Sequence, residues 1–102
     1  MMFFVTVLDE VQATIGITYP KRCMGYFPDF ETAEKVVLEN DGDIFENGYY
    51  NLIVIEEFAP GVYPFRKSEQ WYRANQIDDD NYEVSKIEKP ERLKKVCNFA
   101  IG

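Results

Sequence analysis

The segment Tyr49–Phe58 (YYNLIVIEEF) constrains the fold of this chain more than any other. Leu52, Ile53, Val54 and Ile55 are apolar in succession. Neighbouring residues of a strand point to opposite faces, so four apolar residues in a row leave neither face suited to water. Such a strand belongs in the centre of a sheet, beneath a helix. The helix signal lies just upstream. Asp29 after Pro28 is a good N-cap, and Glu31 in the first turn suits the positive end of the helix dipole. Phe30, Ala33, Val36 and Val37 recur at helical spacing and make one apolar stripe. Glu31 and Lys35 form a favourable i,i+4 pair, and Glu34 and Glu39 fall on the wet side. Asn40-Asp41-Gly42 ends the helix, with Asn40 or Gly42 in the left-handed conformation. The pattern predicts a helix over residues 29–40, its stripe on Leu52 and Val54 or on Ile53 and Ile55.

The remaining apolar runs are short. Met2–Leu8 (MFFVTVL) and Arg22–Phe27 read as strands. Residues 13–21 give a weak pattern closed by a turn at Tyr19-Pro20-Lys21, and Pro64 confines residues 62–65 to a loop or edge. Gln70–Asn75 and Tyr82–Ile87 flank an acidic turn at residues 76–81. They predict a hairpin with Trp71 paired to Tyr82 across it. Pro90 suits the first position of a short helical turn, and Cys97–Ile101 can close the sheet. With 102 residues and 12.0 kDa, the chain supports one core. The expectation is an α+β fold: one main helix packed on a largely antiparallel sheet of about five strands, in a single domain spanning residues 1–102.

Charge is uneven along the chain. Eleven basic residues face eighteen acidic ones, a net charge of −7. Residues 29–57 hold nine acids and only Lys35, so this third of the chain carries −8. A field of that sign repels phosphate backbones and disfavours direct nucleic-acid binding. It suits a basic protein partner, or serves only as a solvated surface. No apolar run reaches the roughly 20 residues of a membrane span. Met1–Phe4 lacks the basic residues of a secretory leader, which implies a cytoplasmic protein. Cys23 and Cys97 are then expected as free thiols.

The chemistry is sparse. The chain has no histidine, which removes Ser/His/Asp and Cys/His nucleophile systems and every His-containing metal site. No phosphate-cradling glycine motif is present. Asp78-Asp79-Asp80 reads as a solvated turn, because adjacent carboxylates cannot all converge on one ion. Glu56 and Glu57 point to opposite faces of their strand and make no acid/base dyad. Glu56 is read as a strand end reaching solvent, with half-burial as the functional alternative. No cofactor, metal site or catalytic residue is therefore expected.

Several stretches together resemble a set of small uncharacterised proteins of low-GC Gram-positive bacteria and their phages or mobile elements. They are the opening FFVTVLDE, GYFPDFETAEKVV at 25–37, DIFE at 43–46, YYNLIVIEE at 49–57, GVYP at 61–64, Trp71-Tyr72, EKP at 88–90 and the ending FAIG. The resemblance carries no catalytic residue. It implies a cytosolic context and a setting of phage–host conflict.

Two functional readings follow, with an enzyme of unknown type as a third. In the first, the protein is a non-catalytic acidic interaction protein, such as a phage or mobile-element inhibitor. It binds a basic surface on a host defence protein through Glu31, Glu34, Glu39, Asp41, Asp43 and Glu46. In the second, it binds a small nucleotide signal. Tyr49, Tyr63, Trp71 and Tyr72 stack the base, and Arg66, Lys67 and Arg73 take the phosphate.

Overall fold

The computed structural model describes residues 1–9, 21–60, 66–79, 81–93 and 99–100, and at residues 66, 67 and 92 the backbone alone. Five strands form one sheet: β1 (Met2–Leu8), β2 (Lys21–Phe27), β3 (Leu52–Phe58), β4 (Arg66–Gln76) and β5 (Tyr82–Ile87). A single α-helix, α1 (Phe30–Leu38), and a 3₁₀ turn at Glu91–Leu93 complete the described elements. The strand order is β2-β1-β3-β4-β5, and every neighbouring pair is antiparallel. The expected α+β architecture is thus the observed one. Both β2 and β3 flank β1, so they run parallel to each other, and α1 makes the crossover between them.

The central strand is β3, as its composition requires. Val5 and Val7 of β1, Ile53 and Ile55 of β3, and Tyr72 and Ala74 of β4 share one face. Ala33 and Val37 of α1 close over them, with Ile44 and Phe45 from the loop after the helix. The stripe therefore lies on Ile53 and Ile55, one of the two expected registers. The other face gathers Leu8, Leu52, Val54 and Trp71 beneath Leu93 and Phe99 of the C-terminal segment. Lone pairs and N–H groups tie that segment down. The Glu56 carboxylate accepts hydrogen bonds from the amides of Phe99 (3.1 Å, at Oε2) and Ala100 (3.0 Å, at Oε1). Glu56 is fully buried, which corrects the expectation of a solvent-facing strand end. A carboxylate tolerates that burial only when its oxygens are met by donors, and residues 43 and 44 positions away supply them. Phe99 stacks edge-on against Trp71 at 5.2 Å. Phe99 and Ala100 form a turn where a closing strand was expected; the rest of residues 97–101 lies outside the described residues.

Helix α1 begins and ends by local chemistry. Asp29 Oδ1 accepts from the Thr32 amide at 2.8 Å and the Thr32 hydroxyl at 2.7 Å. At the other end Asn40 takes φ 49°. The Asp41 amide donates to Val36 O at 3.0 Å and the Asn40 amide to Val37 O at 3.3 Å. That crossed pair is the Schellman stop, with asparagine where glycine is commonest. The Asn40 side chain then accepts from the Phe45 amide at 3.0 Å, which sets Phe45 into the core.

Strand β3 starts at Leu52, three residues later than the sequence pattern suggests. Gly48 at φ 89° turns the chain, and the amides of Tyr49 and Tyr50 donate to Glu46 O and Phe45 O. The hairpin β4–β5 forms, but in a different register from the one expected. Trp71 pairs with Ile87, while Tyr82 pairs with Gln76. Strand β4 begins at Arg66 and runs eleven residues, so Trp71 sits in its middle rather than near the turn.

Two substitutions test this packing. Val37→Asp places an unpaired charge on the buried face of α1 and should cost several kcal/mol, about 3 or more, read as a lower urea midpoint. Glu56→Gln leaves one buried amide of the 99–100 turn facing another donor and should cost about 2–3 kcal/mol. Trp71 is the sole tryptophan, so Glu56→Gln should also red-shift native emission as Phe99 loosens.

Candidate functional site

The six carboxylates expected to form a binding face do not act alike. Glu31, Glu39, Asp41 and Asp43 are exposed, whereas Glu34 and Glu46 are half-buried. Glu34 turns inward. Its Oε2 accepts the Tyr72 phenol at 2.6 Å and lies 3.3 Å from Lys86 Nζ. It joins α1 to β4 and β5, which corrects its expected place on the wet side. Glu46 pairs with Arg22 at 2.8 Å and holds the loop after α1 against β2. Asp43, at φ 54°, accepts from Asn40 Nδ2 and from the Asn47 amide, both at 3.2 Å. These three acids shape the fold. Glu39 has only a 3.9 Å contact with Lys35, both side chains more than half exposed, and such a pair contributes little. Glu31, Glu39 and Asp41 therefore remain as the outward charges of the set.

The structure supplies further acids from a distant part of the sequence. The β4–β5 turn carries Asp78 and Asp79, both exposed. Asp78 accepts from the Asn81 amide and side chain at 2.9 Å. Asn81 and Tyr82 share a groove of about 340 Å³ with Leu38, Glu39 and Asn40. The C-terminal end of α1 and the β4–β5 turn thus stand side by side, braced by an edge-on contact of Phe45 with Tyr82 at 5.2 Å. The carbonyl end of α1 adds its own negative potential there. The sequence could not place Asn81 and Tyr82 beside Glu39, because no local rule connects residues so far apart.

The aromatic residues of the nucleotide reading are dispersed. Trp71 and Tyr72 are both buried and, as strand neighbours, face opposite sides of the sheet. Tyr49 is 45% exposed and stacks on Tyr50 at 4.7 Å with the rings 9° apart. Arg73 is half-buried on β4, opposite Leu52 and Ser85. Tyr63 and the side chains of Arg66 and Lys67 lie outside the described residues.

Among the described residues, no group of three or more potential ligands could hold a metal ion, and no helix is long and apolar enough to cross a membrane. Cys23 is exposed with a free thiol; Cys97 lies outside the described residues. On the second face, Thr6 Oγ1 and Trp71 Nε1 are buried without a hydrogen-bond partner. Beside them Glu69, opposite Glu56, pairs with Lys89 at 3.2 Å.

The surroundings of Asp29, Tyr50 and Tyr72 displace their pKa values from the ordinary ones. The hydroxyl and then the amide of Thr32 lower Asp29. Burial first, and then Glu46, raises Tyr50. Burial, with the hydrogen bond to Glu34 next, pushes the Tyr72 phenol far above the usual tyrosine range. No family model matches the chain, and no curated protein or solved structure matches it either.

The raised phenol has a testable consequence. An unfolded tyrosine ionises near pH 10 and folded Tyr72 does so only at higher pH, so the folded state holds its proton more tightly. Stability from this group is complete below about pH 10 and is lost as pH rises beyond it. Tyr72→Phe should cost about 1–2 kcal/mol at neutral pH. It should also flatten the alkaline decline, measured by urea unfolding at pH 8 and pH 10.5.

Proposed function

We propose that this protein is a non-catalytic acidic interaction protein that meets a basic surface on a protein partner. The supporting observation is the convergence of two acidic segments. The end of α1, with Glu39, shares a groove with Asn81 and Tyr82 at the start of β5; Asp41 follows the helix and Asp78 and Asp79 precede β5, all three exposed. Both segments project into solvent, and the field of one reinforces the other. Opposed fields of this kind steer association and are screened beyond about 8 Å at physiological salt. Glu34, Glu46 and Asp43 are occupied in holding the fold. The resemblance to proteins of phages and mobile elements suggests the setting: a cytoplasmic inhibitor whose partner is a host defence protein with a basic functional surface.

A second reading retains one observation in its favour. The stacked Tyr49–Tyr50 pair presents an aromatic face at the surface, beside the Arg22–Glu46 ion pair. Such a platform accepts a planar base. A nucleotide released on denaturing the purified protein, seen by absorbance near 260 nm and by mass, would favour this reading over the first.

Charge reversal tests the first reading. Glu39→Lys with Asp41→Lys raises the net charge from −7 to −3. Both residues are exposed, so stability should shift by no more than about 0.5 kcal/mol. A partner captured from host lysate by the wild type should associate more slowly with the double variant, and the difference should widen at low salt. Equal recovery and equal association rates would overturn the acidic-surface reading.

A further inference from the structure

We propose that Asp41-Gly42 is a site of spontaneous covalent modification, at which the Asp41 side chain takes over the backbone and leaves an isoaspartyl link. The chain has two dipeptides in which a side-chain carbonyl group precedes glycine, Asp41-Gly42 and Asn47-Gly48. Glycine, lacking a Cβ, hinders least the attack of its own nitrogen on the preceding side chain. By composition alone the asparagine pair is the faster, because ammonia leaves an amide more readily than water leaves a carboxylate. The fold treats the two pairs differently. The Asp43 amide donates to Asn40 O at 2.9 Å and closes a turn whose corners are Asp41 and Gly42. The peptide joining the corners of such a turn takes no part in the closing bond. Gly42 has φ 68°, and both corners are exposed. Among the described residues the Gly42 amide meets no acceptor and the Asp41 carboxylate no donor or cation. A Cβ at position 42 would meet no atom within 4 Å, so the pair stands in open space. At the second pair the Gly48 amide is itself the closing bond, donating to Phe45 O at 3.1 Å. The Asn47 amide is also held, by Asp43 Oδ1 at 3.2 Å. A nitrogen whose proton is engaged in this way must break that bond before it can attack.

The reaction balances with water as its only co-reactant. The Gly42 nitrogen bonds to Asp41 Cγ, and one carboxyl oxygen leaves as water, carrying the amide proton and one proton from solvent. The cyclic imide then adds a water. Attack at Cγ restores aspartate. Attack at the former backbone carbonyl breaks its bond to the Gly42 nitrogen instead, so the chain runs on through Cβ and Cγ and the old carbonyl becomes a carboxylate. Mass and net charge are unchanged, but the main chain gains one atom between Asn40 and Asp43. Two contacts span that point, the Asp43 amide on Asn40 O at 2.9 Å and the Phe45 amide on Asn40 Oδ1 at 3.0 Å. Both must adjust, and the charge at position 41 moves relative to Glu39. The outward acidic surface is thereby reshaped without any change in its charge.

The test incubates the full chain at neutral pH in water enriched in oxygen-18, once folded and once in guanidinium chloride. Each sample is then cut in ordinary water by a glutamate-specific protease. Cleavage after Glu39, Glu46 and Glu56 puts Asp41 and Asn47 on separate peptides. The peptide of residues 40–46 should take up oxygen-18 and separate into two species of equal mass, the new one marked by electron-transfer fragmentation as isoaspartate at position 41. Folding should leave this rate within about twofold of that in the denaturant, since no hydrogen bond opposes it. It should slow deamidation of Asn47 about tenfold, the effect of the bond that the Gly48 amide must give up. Asp41→Glu keeps the charge but does not close the small imide ring, and should abolish labelling at position 41. The site is overturned if the folded chain forms no isoaspartate at position 41, if folding slows Asp41 as much as Asn47, or if Asp41→Glu retains the label.

Discussion

A central strand without a polar face sets the terms for the rest of the molecule. Because β3 is buried on both sides, the sheet needs two covers, and the chain provides them by different physics. On one face α1 contributes a generic apolar stripe, Ala33 and Val37, that slides onto Ile53 and Ile55. Nothing in that contact is specific beyond shape and hydrophobicity. On the other face the described part of the cover contributes Leu93 and Phe99. A buried carboxylate on β3 fixes its position by grasping two backbone amides. The first cover is driven mainly by water release, with the Glu34–Tyr72 hydrogen bond at its margin; the second depends on directional bonds to two backbone amides.

Local chemistry was readable and distant chemistry was not. Strand β1 falls on the residues its alternation indicates, and α1 begins at its Asp29 cap and stops at Asn40, as adjacent residues dictate. The hairpin was legible as a pair of runs, yet its register depended on where β4 begins. That lies beyond a proline-bearing stretch with weak patterning, so Trp71 was assigned the wrong partner. Glu56 illustrates the limit more sharply. Its neighbours in sequence give no sign of burial, because the donors that make burial tolerable come from the far end of the chain. Glu34 is similar: helical periodicity places it outward, and only the phenol of Tyr72, 38 residues on, draws it in.

The same distinction reorganises the charge. In the sequence, the acids of residues 29–57 form one run and invite one explanation. In three dimensions they divide between those that complete hydrogen bonds and those that meet solvent, and outside the segment Asp79 is a further exposed acid. Net charge is a property of composition, whereas a binding surface is a property of which carboxylates remain uncommitted after folding. Three of the six candidate residues are occupied within the protein. Lys86 and Arg22 offset Glu34 and Glu46 locally, so the outward negative charge of this segment is smaller than its composition implies.

At positions 99 and 100 the Glu56 carboxylate engages main-chain amides rather than side chains. Any residue except proline can offer an amide at position 100, so this position is free to drift over evolutionary time without loosening the end of the chain. Position 99 is bound more tightly, since its ring must also meet Trp71. The attachment of this segment thus depends on a single internal glutamate more than on the identity of residue 100. A chain altered at position 100 to any residue but proline keeps the amide that Glu56 holds, and with it the cover over the second face.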